Sequence, residues 1–311
     1  MASGLALWLV EVGLRLGGVA PAYQADAVGG WRMQPQVTRH TVTGHEGTRF
    51  LLTTNEDGLR TQARRARTPG VSRVVLMGDS TVFGWGVDDG DTVADALAAA
   101  LGPGVEVVNA GQPGYSTTQV EALFDRVVRH YAPDVLVVFV PMHDDNRVLV
   151  SDREHLEGGR GFGALRVALA NHSRLYQALR GAVFPLAGEA FLVPGRDASS
   201  EPRVPRASGV ERDESFDRLR AALPAGARLA AGHLPFQADL AGEARGERFS
   251  VPWARAWASR AGGDVVDLRD CCTAADATDL VLPQDPGHLS AEGNRRVGAA
   301  AAAPVAALLG R

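Results

Sequence analysis

The chain has 311 residues, of which 45% are hydrophobic and 22% charged, with a formal net charge of −4 and a pI near 6.1. This length holds roughly two average domains, or one α/β domain with appendages, and the charge lacks the basic excess of a nucleic-acid binder. All 32 basic residues are Arg, which excludes a Walker-A phosphate loop, a Schiff-base lysine, a Ser-Lys dyad and a kinase-type ATP lysine.

The apolar run Leu5 to Val10 is broken by Glu11 and Arg15, well short of the roughly 20 residues that a membrane span needs. It reads either as the tail of an anchor or signal, or as an amphipathic first helix. The first option favours an extracytoplasmic or membrane-associated setting over a cytoplasmic one. Residues 1–70 mix Gly, Thr and Arg with short alternating stretches such as Arg49-Phe50-Leu51-Leu52 and close at Pro69-Gly70. They are expected to form a partly β lead-in to a main domain at 71–311.

From Val74 onward, short apolar runs alternate with helical segments, the pattern of a parallel sheet covered on both faces. Strands are predicted at Val74–Met77, Val105–Val108 and Val135–Val140, with further strands at Arg228–Ala231 and Val265–Leu268. The Ala-rich segment Thr92–Leu101 and the repeat Val120, Leu123, Phe124, Val127, Val128, Tyr131 predict crossover helices, and Ala291–Leu309 a closing helix after Ser290. The stretch from Ser151 to Pro224 is too long for a simple connection and predicts an insertion over one face. Within it Leu165, Leu169, Leu175, Tyr176 and Leu179 suggest a helix. Gly195–Arg212 reads as a mobile loop, and Gly158–Gly163 as a hinge.

In an open parallel sheet, ligands bind beyond the carboxyl ends of the strands. Those ends carry Gly78-Asp79-Ser80-Thr81, then Asn109 through Ser116, then His143-Asp144-Asp145-Asn146, while Asp285-Pro286-Gly287-His288 precedes the last helix. A hydroxyl, an imidazole, a carboxylate and several potential N–H donors are the inventory of acyl transfer. Taken alone, a Ser after a strand, as Ser80 is, is more often a helix cap than a nucleophile, and Asp285-x-x-His288 is a pattern common by chance in polar surface loops. The adjacent Cys271 and Cys272 are poor disulfide partners and form no Cys-x-x-Cys site. The remaining His residues lack metal-ligand spacing, so no metal and no cofactor is expected. Val82 stands at the second glycine position of Gly-x-Ser-x-Gly, against an α/β-hydrolase nucleophile elbow.

Gly78-Asp79-Ser80, the Asn109-to-Ser116 turn and Asp285-x-x-His288-x-Ser290 occur in an order that resembles the SGNH (GDSL-like) hydrolase family from about Asn55 to the chain end. The resemblance implies a flavodoxin-like three-layer α/β/α sandwich with a central parallel sheet. It also implies a Ser80 nucleophile, a His288 general base and an orienting Asp285. The oxyanion donors it implies are the Ser80 N–H, Gly114, and a third that is normally an Asn. Here that third position falls on His143, with Pro141 in place of the usual glycine. His143 can donate an N–H, and Asn146 is the alternative. Asp79, Asn109, Asp144 and Asn146 stand as substrate-contacting or supporting residues, and Gly111 as a structural glycine. The function so implied is a serine esterase that removes a short acyl group, such as acetyl, from a carbohydrate or other small alcohol. An O-acyltransferase with the same triad and a binding protein on the same fold are the alternatives.

Overall fold

The computed structural model describes residues 2–16, 23–26, 30–44, 47–158, 168–169, 171–179, 202–235, 240, 250–269, 271–272 and 277–310. Helix α1 (Ala2–Leu16) is followed by two antiparallel hairpins, β1 (Tyr23–Asp26) with β2 (Gly30–Met33) and β3 (His40–Thr43) with β4 (Arg49–Leu52). Five parallel strands then build the central sheet: β5 (Ser72–Met77), β6 (Val105–Asn109), β7 (Val135–Phe139), β10 (Arg228–His233) and β11 (Asp264–Asp267). Between β7 and β10 lie the small antiparallel pair β8 (Arg147–Val148) and β9 (Val204–Pro205) and the short helix α5 (Asp152–Gly158).

The spatial order β11-β10-β7-β5-β6 is the doubly wound order in which the connection reverses between β5 and β7. That reversal opens a crevice beyond their carboxyl ends. The strands are continuous apolar runs because both faces are covered. In β5, Val74 and Leu76 face one layer and Val75 and Met77 the other, as the two-residue period of a strand requires. The first layer is α3 (Val93–Leu101) and α8 (Ala291–Leu308) through Leu97, Val297 and Ala301. The second is α4 (Thr117–Arg126), α6 (Gly209–Ala222) and α7 (Ser250–Ala261) through Phe124, Phe216 and Trp257.

Of the region read as a loop over Gly195–Arg212, residues 195–201 lie outside the described residues and the remainder is partly regular. Residues Val204–Pro205 form β9, and Gly209–Arg212 begin α6, capped by Ser208, whose Oγ accepts from the Glu211 N–H. Half of helix α6 is charged, and it buries only Arg212, Ser215, Phe216 and Leu219, so its apolar stripe is too thin to stand out in sequence. It is the crossover helix between β7 and β10. Of the helix suggested by Leu165 to Leu179, residues 174–179 are helical, while Leu165 and the Gly159–Gly163 part of the hinge lie outside the described residues.

The hairpins seat on the main sheet through Met33, Val42, Phe50 and Leu52, which pack against Phe83. Arg60 locks this contact. Its guanidinium donates to the Gly84 carbonyl at 2.6 Å, the Val87 carbonyl at 2.7 Å and the Leu51 carbonyl at 3.1 Å, pairs with Asp89 at 3.2 Å, and lies over the Phe50 and Phe83 rings. Among the described residues no helix is long and apolar enough to cross a membrane. Helix α1 exposes Leu7, Trp8, Leu9 and Val10.

Candidate active site

Strand β5 ends at Met77, and after Gly78 the chain turns at once into the short helix α2 (Ser80–Phe83). Asp79 is the N-cap: its Oδ1 accepts from the Thr81 N–H at 3.0 Å and the Thr81 hydroxyl at 2.7 Å. Its Oδ2 accepts from the Met142 N–H at 2.9 Å. Asp79 is thereby a buried strut that ties the β5 turn to the β7 turn. Ser80 stands at the first helical position, where a backbone N–H has no intrahelical carbonyl to meet.

The Ser80 Oγ lies 2.7 Å from His288 Nε2, and His288 Nδ1 lies 2.7 Å from Asp285 Oδ2. Ser80 is 5% exposed, and the His288 and Asp285 side chains are 16% and 14% exposed. Asp285 and His288 do not meet across a simple turn. They lie on β13 (Asp285–Leu289), which pairs with β12 (Val281–Leu282) through a register shift: Val281 faces Leu289 while Leu282 faces Asp285. Three residues bulge out between the paired positions, and this brings side chains three apart to one side, which a regular strand would not do.

After β6, the Asn109 amide donates to the Val82 carbonyl at 2.9 Å, and its oxygen accepts from the Gly111 N–H at 3.1 Å. Asn109 thus binds the backbone of α2 and supports it. A Cβ on Gly111 would stand 2.3 Å from the Phe83 nitrogen, so only glycine permits this approach. Gly114 has φ +77°, a conformation that glycine adopts without steric cost. Its neighbour is the Trp31 ring, 3.3 Å from where a Cβ would be.

After β7, residues Met142–Asp145 form a 3-10 turn. Asp144 is buried and accepts from the Thr117 N–H at 2.7 Å, the Thr117 hydroxyl at 2.6 Å and Arg212 Nε at 2.8 Å. It joins the turn to α4 and α6 and so serves as support. His143 is half-buried. Burial lowers its pKa from the ordinary value, Arg206 and His288 push the same way, and the Asp79 carboxylate opposes them. The Asn146 amide nitrogen approaches His143 Nδ1 at 3.2 Å. A donor at Nδ1 leaves the proton of the neutral ring on Nε2.

Sequence reasoning missed Trp31 and Arg206. The Trp31 indole donates to the Pro113 carbonyl at 3.0 Å, and Arg206 donates to the Gly114 carbonyl at 2.8 Å. Trp31 lies in a segment without a motif and Arg206 in an Arg- and Pro-rich stretch, so neither carries a local signal. Among the described residues no cluster of His, Cys, Asp or Glu could hold a metal. The Cys271 and Cys272 sulfurs stand 3.0 Å apart, with no disulfide between them. A cleft of 430 Å³ bordered by Arg67, Ser72 and Leu308 opens at the amino ends of the strands, away from this chemistry.

The solved structures similar to the chain include a carbohydrate acetylesterase family member from Sinorhizobium meliloti, with 16% identity, TM-score 0.45, and coverage of 78% of this chain and 100% of the other. They also include the inhibitor-bound aryl esterase of M. smegmatis, with 14% identity, TM-score 0.45 and coverage of 76% and 100%. A second carbohydrate acetylesterase from Sinorhizobium meliloti matches with 18% identity, TM-score 0.41 and coverage of 76% and 99%. Among curated proteins none matches the chain. The model of the GDSL-like lipase/acylhydrolase family matches residues 76–296, from the end of β5 into α8. The chain belongs to the GDSL-like lipase/acylhydrolase family and is a carboxylic ester hydrolase.

Proposed function

We propose that the protein cleaves short-chain esters of a carbohydrate or other small alcohol, acetyl esters among them, through a covalent acyl-enzyme on Ser80. The observation that carries this reading is the unbroken chain from the Ser80 hydroxyl through His288 to Asp285, with both contacts at 2.7 Å. His288 Nε2 takes the hydroxyl proton as Oγ attacks the ester carbonyl, and Asp285 at Nδ1 holds the tautomer and stabilises the imidazolium that forms. The same proton then passes to the departing alcohol. Water, deprotonated by His288, attacks the acyl-enzyme and frees the acid.

The negative charge that develops on the carbonyl oxygen meets three donors: the Ser80 N–H, the Gly114 N–H and the His143 Nε2–H. Burial, which lowers the His143 pKa from its ordinary value, and the Asn146 contact at Nδ1 favour a neutral ring with its proton on Nε2, which serves the part that the family's usual Asn amide plays. The slight exposure of Ser80 favours a compact acyl group.

Aryl esters of graded acyl length, assayed beside Ser80→Ala, test this reading. Turnover that falls with acyl length and vanishes in Ser80→Ala is expected. A Ser80→Ala variant as fast as the wild type would overturn it.

A further inference from the structure

The Gly114 turn is gripped from two sides by side chains that belong to neither the sheet nor its crossover helices. Trp31, on β2, donates its indole N–H to the Pro113 carbonyl at 3.0 Å. Arg206, immediately after β9, donates Nη1 to the Gly114 carbonyl at 2.8 Å. The carbonyls held are those on either side of the Gly114 residue.

A trans peptide is planar, with its C=O and N–H pointing in opposite directions. The N–H of Gly114 belongs to the same peptide plane as the Pro113 carbonyl. An indole that pulls this carbonyl one way therefore aims the Gly114 N–H the other way. Fixing the Gly114 carbonyl constrains the next plane, so Gly114, which has the widest backbone freedom of any residue, cannot rotate between them.

Both grips are themselves anchored. Trp31 packs edge-on against Tyr115, with ring centroids 5.9 Å apart, and its own carbonyl accepts from the Tyr115 hydroxyl. The Arg206 guanidinium lies 5.9 Å from the centre of the Trp31 ring. It also binds Gln119 Oε1 at 2.7 Å and Asp152 at 2.8 Å, with its side chain only 11% exposed. The Arg206 backbone N–H donates to the Asn146 carbonyl at 2.9 Å, so the same residue touches the turn that carries His143. A planar guanidinium can hold three acceptors in fixed directions, which an ammonium cannot.

We infer that Trp31 and Arg206 form a clasp that aims the Gly114 N–H at the developing oxyanion, making both of them positioning residues for ester cleavage. This rests on the proposed acyl-enzyme mechanism. A misdirected donor fails only where charge develops, so the clasp acts on the transition state and leaves ground-state binding of the ester nearly untouched.

The test uses the full chain and an aryl acetate. Trp31→Phe keeps an aromatic ring and removes the indole donor. Arg206→Lys keeps the charge opposite Asp152 and loses the fork. Removing an oxyanion donor costs roughly 10²–10³ in kcat, and a donor kept but misaimed should cost less, so each variant is expected to lose ~10–100-fold in kcat with KM within about 3-fold. Because both act through one peptide, the double variant should lose less than the product of the single losses. The Gly114 amide resonance should shift in each variant, a readout independent of turnover. Turnover that requires Ser80 but is unchanged in both variants overturns the clasp and leaves the triad reading standing. Losses that appear in KM or only in melting temperature also overturn it. Absence of wild-type ester turnover overturns both.

Discussion

The site has two halves built on different terms. On the proposed acid–base half, His288 touches Ser80 on one side and Asp285 on the other, both at 2.7 Å. On the proposed oxyanion half, Gly114 and His143 make no comparable mutual contact and are held by outside residues: Trp31 and Arg206 for one, Asn146 for the other. Groups that exchange a proton must meet, so their geometry is set by their own hydrogen bonds. Donors to an oxyanion must converge on a point that holds no atom until the reaction, so rigid neighbours must aim them. Two of those neighbours come from outside the central sheet and its helices: Trp31 from the β1–β2 hairpin and Arg206 from just after β9.

The sharpest division between the halves should come from the acid–base side. Ser80→Ala is expected to abolish ester turnover, a loss of ~10⁴-fold or more, with fluorophosphonate labelling gone and the melting temperature unchanged. His288→Ala should be nearly as severe, and Asp285→Asn should retain the most activity of the three. A different ranking in initial rates would break the assignment of roles.

The oxyanion side should respond more weakly and in kcat alone. His143→Ala is expected to lower kcat by roughly 10²–10³ with KM little changed, whereas His143→Asn, which restores an amide donor, should keep far more activity. If both variants hold wild-type kcat, His143 is structural and the third donor lies elsewhere. The Trp31 and Arg206 variants should fall below His143→Ala in effect, since they misaim a donor without removing it.

Arg60 offers a contrast between holding the fold and aiming a donor. It grips carbonyls as Arg206 does, but those at the end of α2 and in the hairpin. Arg60→Met leaves buried carbonyls and Asp89 without their partner, which should cost roughly 3 kcal/mol of stability. Denaturant titration should record this loss, while the kcat of the folded fraction stays within a few-fold of wild type. A large kcat loss at unchanged stability would place Arg60 with the aiming residues.

The smallest expected effect is on pH dependence. Burial lowers the His143 pKa in the folded chain, so over the interval between that value and the ordinary His value the unfolded chain holds more protons. Stability therefore rises with pH through this interval and falls on acidification below about 6.5, until the folded ring is itself protonated. His143→Asn should remove this part of the acid-side slope in melting temperature. An identical slope in the variant would show that His143 titrates alike in both states.

Sequence alone determined the parallel α/β architecture, because a strand covered on both faces must be apolar at every position, as Val74–Met77 and Val135–Phe139 are, and because the crossover helix Val93–Leu101 and the closing helix Ala291–Leu308 carry ordinary caps and Ala-rich faces. It also marked Ser80, Asp285 and His288 as candidates, since each lies in a short motif that a contiguous stretch can show. The tertiary structure decided what contiguity cannot express. The bulge in β13 puts Asp285 and His288 on one side, since strand pairing and its register shift depend on β12. Helix α6 forms with almost no apolar stripe because α4 and α7 cover the few residues it buries, and Arg212 finds Asp144 68 positions away. Trp31 and Arg206 reach the carbonyls of Pro113 and Gly114 across 82 and 92 positions. A carbonyl is the same at every residue, so no choice of amino acid at Pro113 or Gly114 announces which side chain will bind it; only the folded chain brings the partners together.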